Sequence, residues 1–401
     1  MMVPCPECGA PLERRVAKMA GGRVFYGCTR YFEAKCRGSM EAPEYRAASQ
    51  DLASRRRARL AGQLDESEGR PYPEATPCPG DLVPTRDFEY PIGLNQPGIG
   101  VALFNPAQSH IVRHGLYKKK CNLIVTTPTS SGKTAMAEMV VARQLATGRR
   151  AVYVSPLKAV TSEKHQEWTD AQHPFASRRL VIMTGDHQLG PKRLGELAAA
   201  DIVLMTSEML DSRSRKERGG AEAAGWMAGV GAVVVDEAHL LGTDRGPALE
   251  AGLMRFTERC PASRVVLLSA TMPNVRQVES WLTVLNGMPT VTVDLPWRPV
   301  ELRMHWLPYE HSGNPRVRDE RFDAVREIVL RHRDEAGTLV FVHAKRMGRE
   351  MQEMLRRAGV ACEFHSGELD KETRRDIESR FRSGDLRVLI STSTLAWGCN
   401  L

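Results

Sequence analysis

Residues 122–141 read NLIVTTPTSSGKTAMAEMVV, and the run TPTSSGKT at 127–134 decides the fold. The apolar NLIVT before it has the composition of a strand, and AMAEMVVARQL after it has helical periodicity. The join consists of small hydroxyl residues and a glycine. That arrangement suits an anion: small residues let backbone N–H groups converge on phosphate oxygens, with a helix N-terminus behind them. Thr129, Ser130, Ser131 and Gly132 line the expected cradle, Lys133 reaches the β and γ phosphates, and Thr134 offers its hydroxyl to Mg²⁺. Thr127 stands where the general pattern has its first glycine.

A second motif, VVVDEAH, follows about a hundred residues on. Asp236 and Glu237 end a run of valines, which puts both carboxylates at the edge of a parallel sheet where ligands bind. Asp236 is expected to hold Mg²⁺ and Glu237 to orient and deprotonate an attacking water for displacement at the γ-phosphate. Acids before a helix start are common on their own account. Behind a phosphate loop in the same chain they have a specific use.

Short continuous apolar runs (AVYVSP, LVIMTGD, DIVLMTS, RVVLLSAT) alternate with helical stretches around these motifs, the pattern of strands buried on both faces. LPWRPV near 295–300 interrupts it, and TLVFVHA, ACEFHSG and LRVLIST restart it. No apolar run approaches the roughly 20 residues of a membrane span. A cytoplasmic chain is expected, with no membrane partner. Twelve of the Lys/Arg but only six of the Asp/Glu fall within residues 1–60, so most of the net charge of +8 sits in the N-terminal head. Such a head suits a polyanion or, equally, a solvated helix face.

In sequence order these motifs resemble a superfamily 2 DExH-box nucleic-acid helicase of the Ski-like branch, over roughly residues 100–401. The resemblance implies two RecA-like α/β domains, ATP and Mg²⁺ as cofactors, and DNA or RNA as partner. FNPAQ resembles the adenine-reading motif, with Gln108 pairing the base and Phe104 or Tyr117 packing nearby. VSPLKAV, with Pro156 and Lys158, TGD, with Thr184 and Gly185, and TSEML, with Thr206, resemble strand-contacting motifs. SAT, with Ser269 and Thr271, resembles the coupling motif, in which His239 also takes part through a hydrogen-bond network. WRPV resembles the hinge. In the second domain FHSGEL (His365, Gly367) and STSTLAWGCNL (Thr392, Thr394) resemble further strand-contacting motifs, although the family often has His-Ala-Gly where Ser366 interrupts here.

The family's arginine-rich motif VI would follow residue 401. The resemblance therefore leads us to expect an incomplete second domain that hydrolyses ATP weakly alone, or that draws motif VI from a partner polypeptide. A binding module built from the same parts is the alternative.

The head carries Cys5, Cys8, Cys28 and Cys36, against five scattered cysteines elsewhere. A C-x₂-C pair with glycine after it fits a tetrahedral zinc knuckle. The segment resembles the zinc ribbons of bacterial type IA topoisomerases, with a longer gap between Cys28 and Cys36 than that family has. Phe25, Tyr26, Tyr31 and Phe32 among arginines suit base stacking, although a domain so small must use part of them as core. The expected architecture is a zinc ribbon (1–40), a helical then Pro-rich linker (41–100), a first RecA-like domain (101–295) and an incomplete second one (296–401).

Overall fold

The structure, a computed structural model, describes residues 3–17, 24–66, 70–71, 82–84, 95–96, 99–100, 103–117, 120–185, 190–216, 226–227, 229–307, 320–333, 337–392 and 395. The chain divides into two compact units. One comprises residues 71–303, and the other joins residues 1–70 to residues 304–401.

In the first unit, strands β4 (Asn122–Thr126), β5 (Arg150–Ser155), β6 (Leu180–Met183), β7 (Ile202–Thr206), β8 (Val230–Val235), β9 (Arg264–Ser269) and β10 (Thr290–Asp294) form one sheet in the order β10-β4-β9-β8-β5-β7-β6. Every pairing is parallel. The sequence explains why: VGAVVV and NLIVT are buried at every position, so they need apolar cover on both faces, and only helical crossovers supply it. Helices α3 (Lys133–Ala146), α4 (Lys158–Thr169), α7 (Gly246–Arg259) and α8 (Val275–Asn286) make those crossovers, and the unit also holds α2 (Pro106–Ile111), α5 (Pro191–Ala199) and α6 (Ser207–Lys216). Two apolar clusters result: one includes Met136, Val140, Tyr153 and Trp168, and the other Val233, Leu253, Phe256 and Leu282. Arg264, at the foot of β9, is buried yet satisfied. Its guanidinium donates to the carbonyls of Cys121 (2.7 Å), Leu116 and Gly115 (2.5 Å each), pinning the chain that leads into β4.

The second unit contains the cysteine head. Strands β1 (Leu12–Val16), β2 (Val24–Cys28) and β3 (Ser39–Glu41) form an antiparallel ribbon, and helix α1 (Ala42–Glu66) leaves it. Where the composition allowed a helix or a charged linker, the structure has 25 residues of helix. Tyr45 on α1 stacks on Tyr26 of the ribbon, ring centroids 3.6 Å apart and planes nearly parallel. Farther along α1, Arg59 reaches Glu320, which is 1% exposed, at the start of helix α9 (Glu320–His332). The ribbon helix thus packs against the second α/β segment instead of running free. Arg55 pairs with Asp51 at 2.9 Å along the exposed face of the same helix.

The second segment adds strands β11 (Thr338–Phe341), β12 (Cys362–His365) and β13 (Val388–Ser391), parallel in the order β11-β13-β12, with helices α10 (Lys345–Arg357) and α11 (Lys371–Ser383). Most of the Pro-rich stretch at 71–100 lies outside the described residues, as do Asp186, Thr394, Cys78 and Cys399.

Candidate functional site

Strands β4, β9, β8 and β5 are neighbours, so the loops leaving their C-terminal ends share one edge of the sheet. The phosphate loop leaves β4. Its shape depends on two residues in the left-handed region, Ser130 (φ 64°) and Gly132 (φ +86°). Gly132 has a second constraint: a Cβ there would lie 2.2 Å from Gln108 Nε2. Helix α3 then begins at Lys133 with no side-chain cap, leaving its first amides directed at the loop. Lys133 donates to the carbonyls of Thr127 (2.7 Å) and Pro128 (2.9 Å), and the hydroxyls of Thr127 and Ser131 meet at 2.7 Å.

Asp236 and Glu237 follow β8. Burial raises the Asp236 pKa, while the Tyr153 hydroxyl, donating at 2.6 Å, lowers it. Glu237 sits in the left-handed region at φ 51°, a conformation that costs a non-glycine residue about 1–3 kcal/mol and concentrates at working sites. His239 Nδ1 lies 3.2 Å from Glu237 Oε2 and, by hydrogen bonding, is the main cause of its lowered pKa. Burial lowers the Lys133 pKa, and the charges of both carboxylates, Glu237 more than Asp236, oppose that shift. A half-buried cation and two carboxylates beside a helix N-terminus are groups that could hold a magnesium-bound triphosphate.

Neighbouring motifs are wired to this edge. The Thr127 amide donates to Ser269 O at 3.1 Å, so the SAT segment is bonded to the loop after β4. Within that motif Ser269 Oγ donates to Thr271 O at 2.7 Å. Gln108 is placed differently from a free base reader. It closes a capping box with Asn105, its Oε1 accepting from Asn105 N at 3.2 Å, and its Nε2 donates to Gly132 O at 3.4 Å. Asn105 in turn donates to Ser131 O at 3.0 Å. The pair braces the loop from behind. Phe104 is 0% exposed, so it is core and cannot pack on a base. Tyr117 packs beside Arg143, whose guanidinium carbon lies 5.7 Å from the ring centre.

One cation escaped the sequence reading: Arg298 of the supposed hinge donates to Thr129 Oγ1 at 3.4 Å and lowers the Lys133 pKa by its charge. The signal was its place in WRPV, within a few residues of the end of β10, whose neighbour β4 bears the phosphate loop.

The expected strand contacts divide into two groups. Lys158 and Gly185 are exposed and adjacent, a Cβ at Gly185 falling 3.4 Å from the Lys158 ammonium, with half-buried Pro156 just before them. Thr184 and Thr206 are each 2% exposed, which leaves only backbone to meet a strand there. In the second unit His365 is buried and bonded to Glu378 at 3.0 Å, and Thr392 is buried, whereas Gly367 is exposed.

In the ribbon the sulfurs of Cys5, Cys8, Cys28 and Cys36 lie within 4.8 Å of one another. Cys5 and Cys36 are 3.7 Å apart, and Cys8 and Cys28 are 3.4 Å apart. A tetrahedral ion with sulfur at ~2.3 Å holds its ligands ~3.8 Å apart, so the four fit one zinc. The Ala10 amide is the first cause of the Cys8 thiol's fall to about 7. Of the ribbon aromatics Tyr31 is 45% exposed, with Arg15 over its ring at 5.5 Å, while Tyr26 is committed to Tyr45. A second group, Glu138, Glu167 and His173, already contains its cation: Lys164 pairs with Glu167 at 2.6 Å.

Comparison with known proteins addresses the family and the fold. Residues 105–278 match the DEAD/DEAH box helicase family, and residues 320–401 match the helicase conserved C-terminal domain. The ATP-dependent DNA helicase Hel308 of Methanocella arvoryzae is 31% identical over 349 residues, spanning 76% of this chain and 45% of the relative. Activating signal cointegrator 1 complex subunit 3 of Homo sapiens is 29% identical over 346 residues, spanning 74% of this chain and 15% of the relative. The chain thus spans less than half of these relatives. Among solved structures, the DUF1998 helicase MrfA bound to DNA and AMPPNP superposes with a TM-score of 0.63 at 20% identity, over 85% of this chain and 49% of the other. Mycobacterium smegmatis helicase Lhr bound to single-stranded DNA and AMP-PNP gives 0.53 at 24% identity, over 73% and 40%. These two likenesses concern the fold. Among the described residues no helix is long and apolar enough to cross a membrane. With both helicase models matched in order and the phosphate loop facing its acid pair, the chain belongs to the DEAD/DEAH-box helicases of superfamily 2, on the Ski-like branch.

Proposed function

We propose that this chain couples ATP hydrolysis to movement along single-stranded DNA or RNA. The observation that carries the reading is that the loop bearing Lys133 and the loop bearing Asp236 and Glu237 leave the C-terminal ends of β4 and β8 at one edge of the same parallel sheet. In this reading Lys133 exchanges the carbonyls of Thr127 and Pro128 for phosphate oxygens, and the loop amides take the rest of the charge. Thr134 and Asp236 hold Mg²⁺, which when bound neutralises charge on the β and γ phosphates. Glu237 accepts the proton of a water whose oxygen bonds to the γ-phosphorus as the bond to the bridging oxygen breaks, releasing ADP and phosphate. Its lowered pKa keeps it ionised for that task.

Lys158 and Gly185 then hold the phosphate backbone of a strand, and Thr184 and Thr206 contribute through their backbone. Contacts of this type carry no base sequence. In the second unit Gly367 and Thr392 are assigned the same role. The four cysteines hold a structural zinc, which folds a ribbon too small to bury a core of its own. Exposed Tyr31, flanked by Arg15, offers that ribbon a stacking surface for a base.

The test is steady-state ATP turnover with and without single-stranded DNA or RNA across a salt series. Strand stimulation that falls steeply with salt supports the reading. Turnover indifferent to nucleic acid, in a preparation that binds Mg-ATP, would remove the translocation half of it.

A further inference from the structure

Among the described residues the Asp236 side chain receives two hydrogen bonds, one on each oxygen. The Tyr153 hydroxyl donates to Oδ2 at 2.6 Å, and the Glu237 amide donates to Oδ1 at 3.0 Å. Tyr153 lies on β5, beside the strand that carries Asp236, and the Asp236 amide donates to Val154 O at 2.9 Å. The tyrosine is 0% exposed. Its ring is held edge-on against Trp168 of α4, centroids 5.2 Å apart, and the Trp168 indole N–H is itself fixed to Glu138 of the phosphate-loop helix at 3.1 Å. Phe175 also meets Trp168 edge-on, centroids 5.0 Å apart.

A phenylalanine would fill this pocket equally well. A buried hydroxyl costs free energy unless it is bonded, and here its acceptor is the Asp236 carboxylate. That carboxylate turns about a terminal torsion that is soft and roughly two-fold. A donor on each oxygen fixes the plane.

We propose that Tyr153 is a positioning residue for Asp236: its hydroxyl locks the carboxylate so that the lone pairs left free on the two oxygens face the magnesium carried by the nucleotide. The proposal rests on the ATP-site reading above and adds a residue to it. Because the Tyr153 ring leans on Trp168, the same lock ties the acid to α4, the helix that opens with the strand-contacting Lys158.

The test is Tyr153→Phe in the full chain, read by the affinity for a fluorescent ATP analogue in EDTA and in saturating Mg²⁺. The ratio of the two affinities isolates the metal's contribution and does not depend on turnover. In the variant, affinity in EDTA stays within about twofold of wild type, whereas the Mg²⁺ enhancement falls about tenfold, the size of one hydrogen bond to a charged group. Phe175→Leu, which loosens the same aromatic wall but keeps the hydroxyl, retains the enhancement. Equal enhancement in wild type and Tyr153→Phe overturns the proposal. So does a Tyr153→Phe protein that melts far below wild type, because the hydroxyl would then be serving the core. A wild-type chain whose nucleotide affinity ignores Mg²⁺ removes the underlying reading, and the proposal with it.

Discussion

Replacing Gly132 by alanine tests the phosphate loop at its tightest point. Two costs apply. The residue holds φ at +86°, and a Cβ in that region costs about 1–2 kcal/mol. The new methyl also falls 2.2 Å from Gln108 Nε2 and 3.0 Å from Gln108 Cδ, so the amide must leave Gly132 O and loosen its bond to Asn105, at roughly 1 kcal/mol. Together these disfavour the cradle by about 2–3 kcal/mol, equivalent to a roughly 30- to 150-fold loss of nucleotide affinity. Titration with a fluorescent ATP analogue measures that loss directly. Gly148→Ala is the control. It has a similar φ of +70° but nothing within 4 Å of the new methyl, and it lies beyond the far end of α3, so it carries the backbone cost without touching the loop. If Gly132→Ala bound nucleotide as well as Gly148→Ala, the assignment of this loop would be wrong.

Other expectations concern separate parts of the chain. Arg298→Ala removes the second cation beside Thr129 and is expected to raise the KM for ATP roughly tenfold, as for a charge-assisted contact worth ~1.5 kcal/mol, with melting unchanged; an unaltered KM would make Arg298 a surface residue only. Burial lowers the His365 pKa, against a smaller raising effect of Glu378, so the unfolded chain binds that proton more readily. The second unit should therefore lose stability as the pH falls below the ordinary histidine value of about 6.5; His365→Gln should flatten that slope in urea melts at pH 5 and 8, and an identical slope would discount the residue. Zinc analysis should find one ion per chain, and Cys8→Ser or a strong chelator should remove it and expose residues 3–41 to protease while ATP binding persists. Full zinc retention by Cys8→Ser would contradict the four-cysteine assignment.

The candidate nucleotide edge could be located in the sequence because its elements are local. A strand, a small-residue loop and a helix are contiguous at 122–146, and VVVDEAH carries its own strand, so the parallel topology brings the two loops together once it is known. What could not be read depends on contacts distant in sequence. Phe104 looked available to a base but is sealed in the core by the packing of α3 and β4. Gln108 looked like a base reader, yet its amide is drawn into a capping box with Asn105 and onto Gly132 O. Thr184, Thr206 and His365 carry plausible polar groups, and burial at the strand ends withdraws them. Nothing in the run of arginines at 55–59 indicated that Arg59 pairs with Glu320, 261 residues away. Arg298 and Tyr153 were missed for a related reason: Arg298 reaches the site from the segment that follows β10 and Tyr153 from β5, each by a contact distant in sequence.

The central claim is that Lys133, Asp236 and Glu237 share one magnesium-bound triphosphate. Its most direct measurement is the affinity of wild type and Lys133→Ala for a fluorescent ATP analogue, each with and without Mg²⁺. The account predicts binding by wild type that Mg²⁺ strengthens, and loss of most of that binding in Lys133→Ala. Equal affinities in the two proteins, or no binding by wild type, would contradict it.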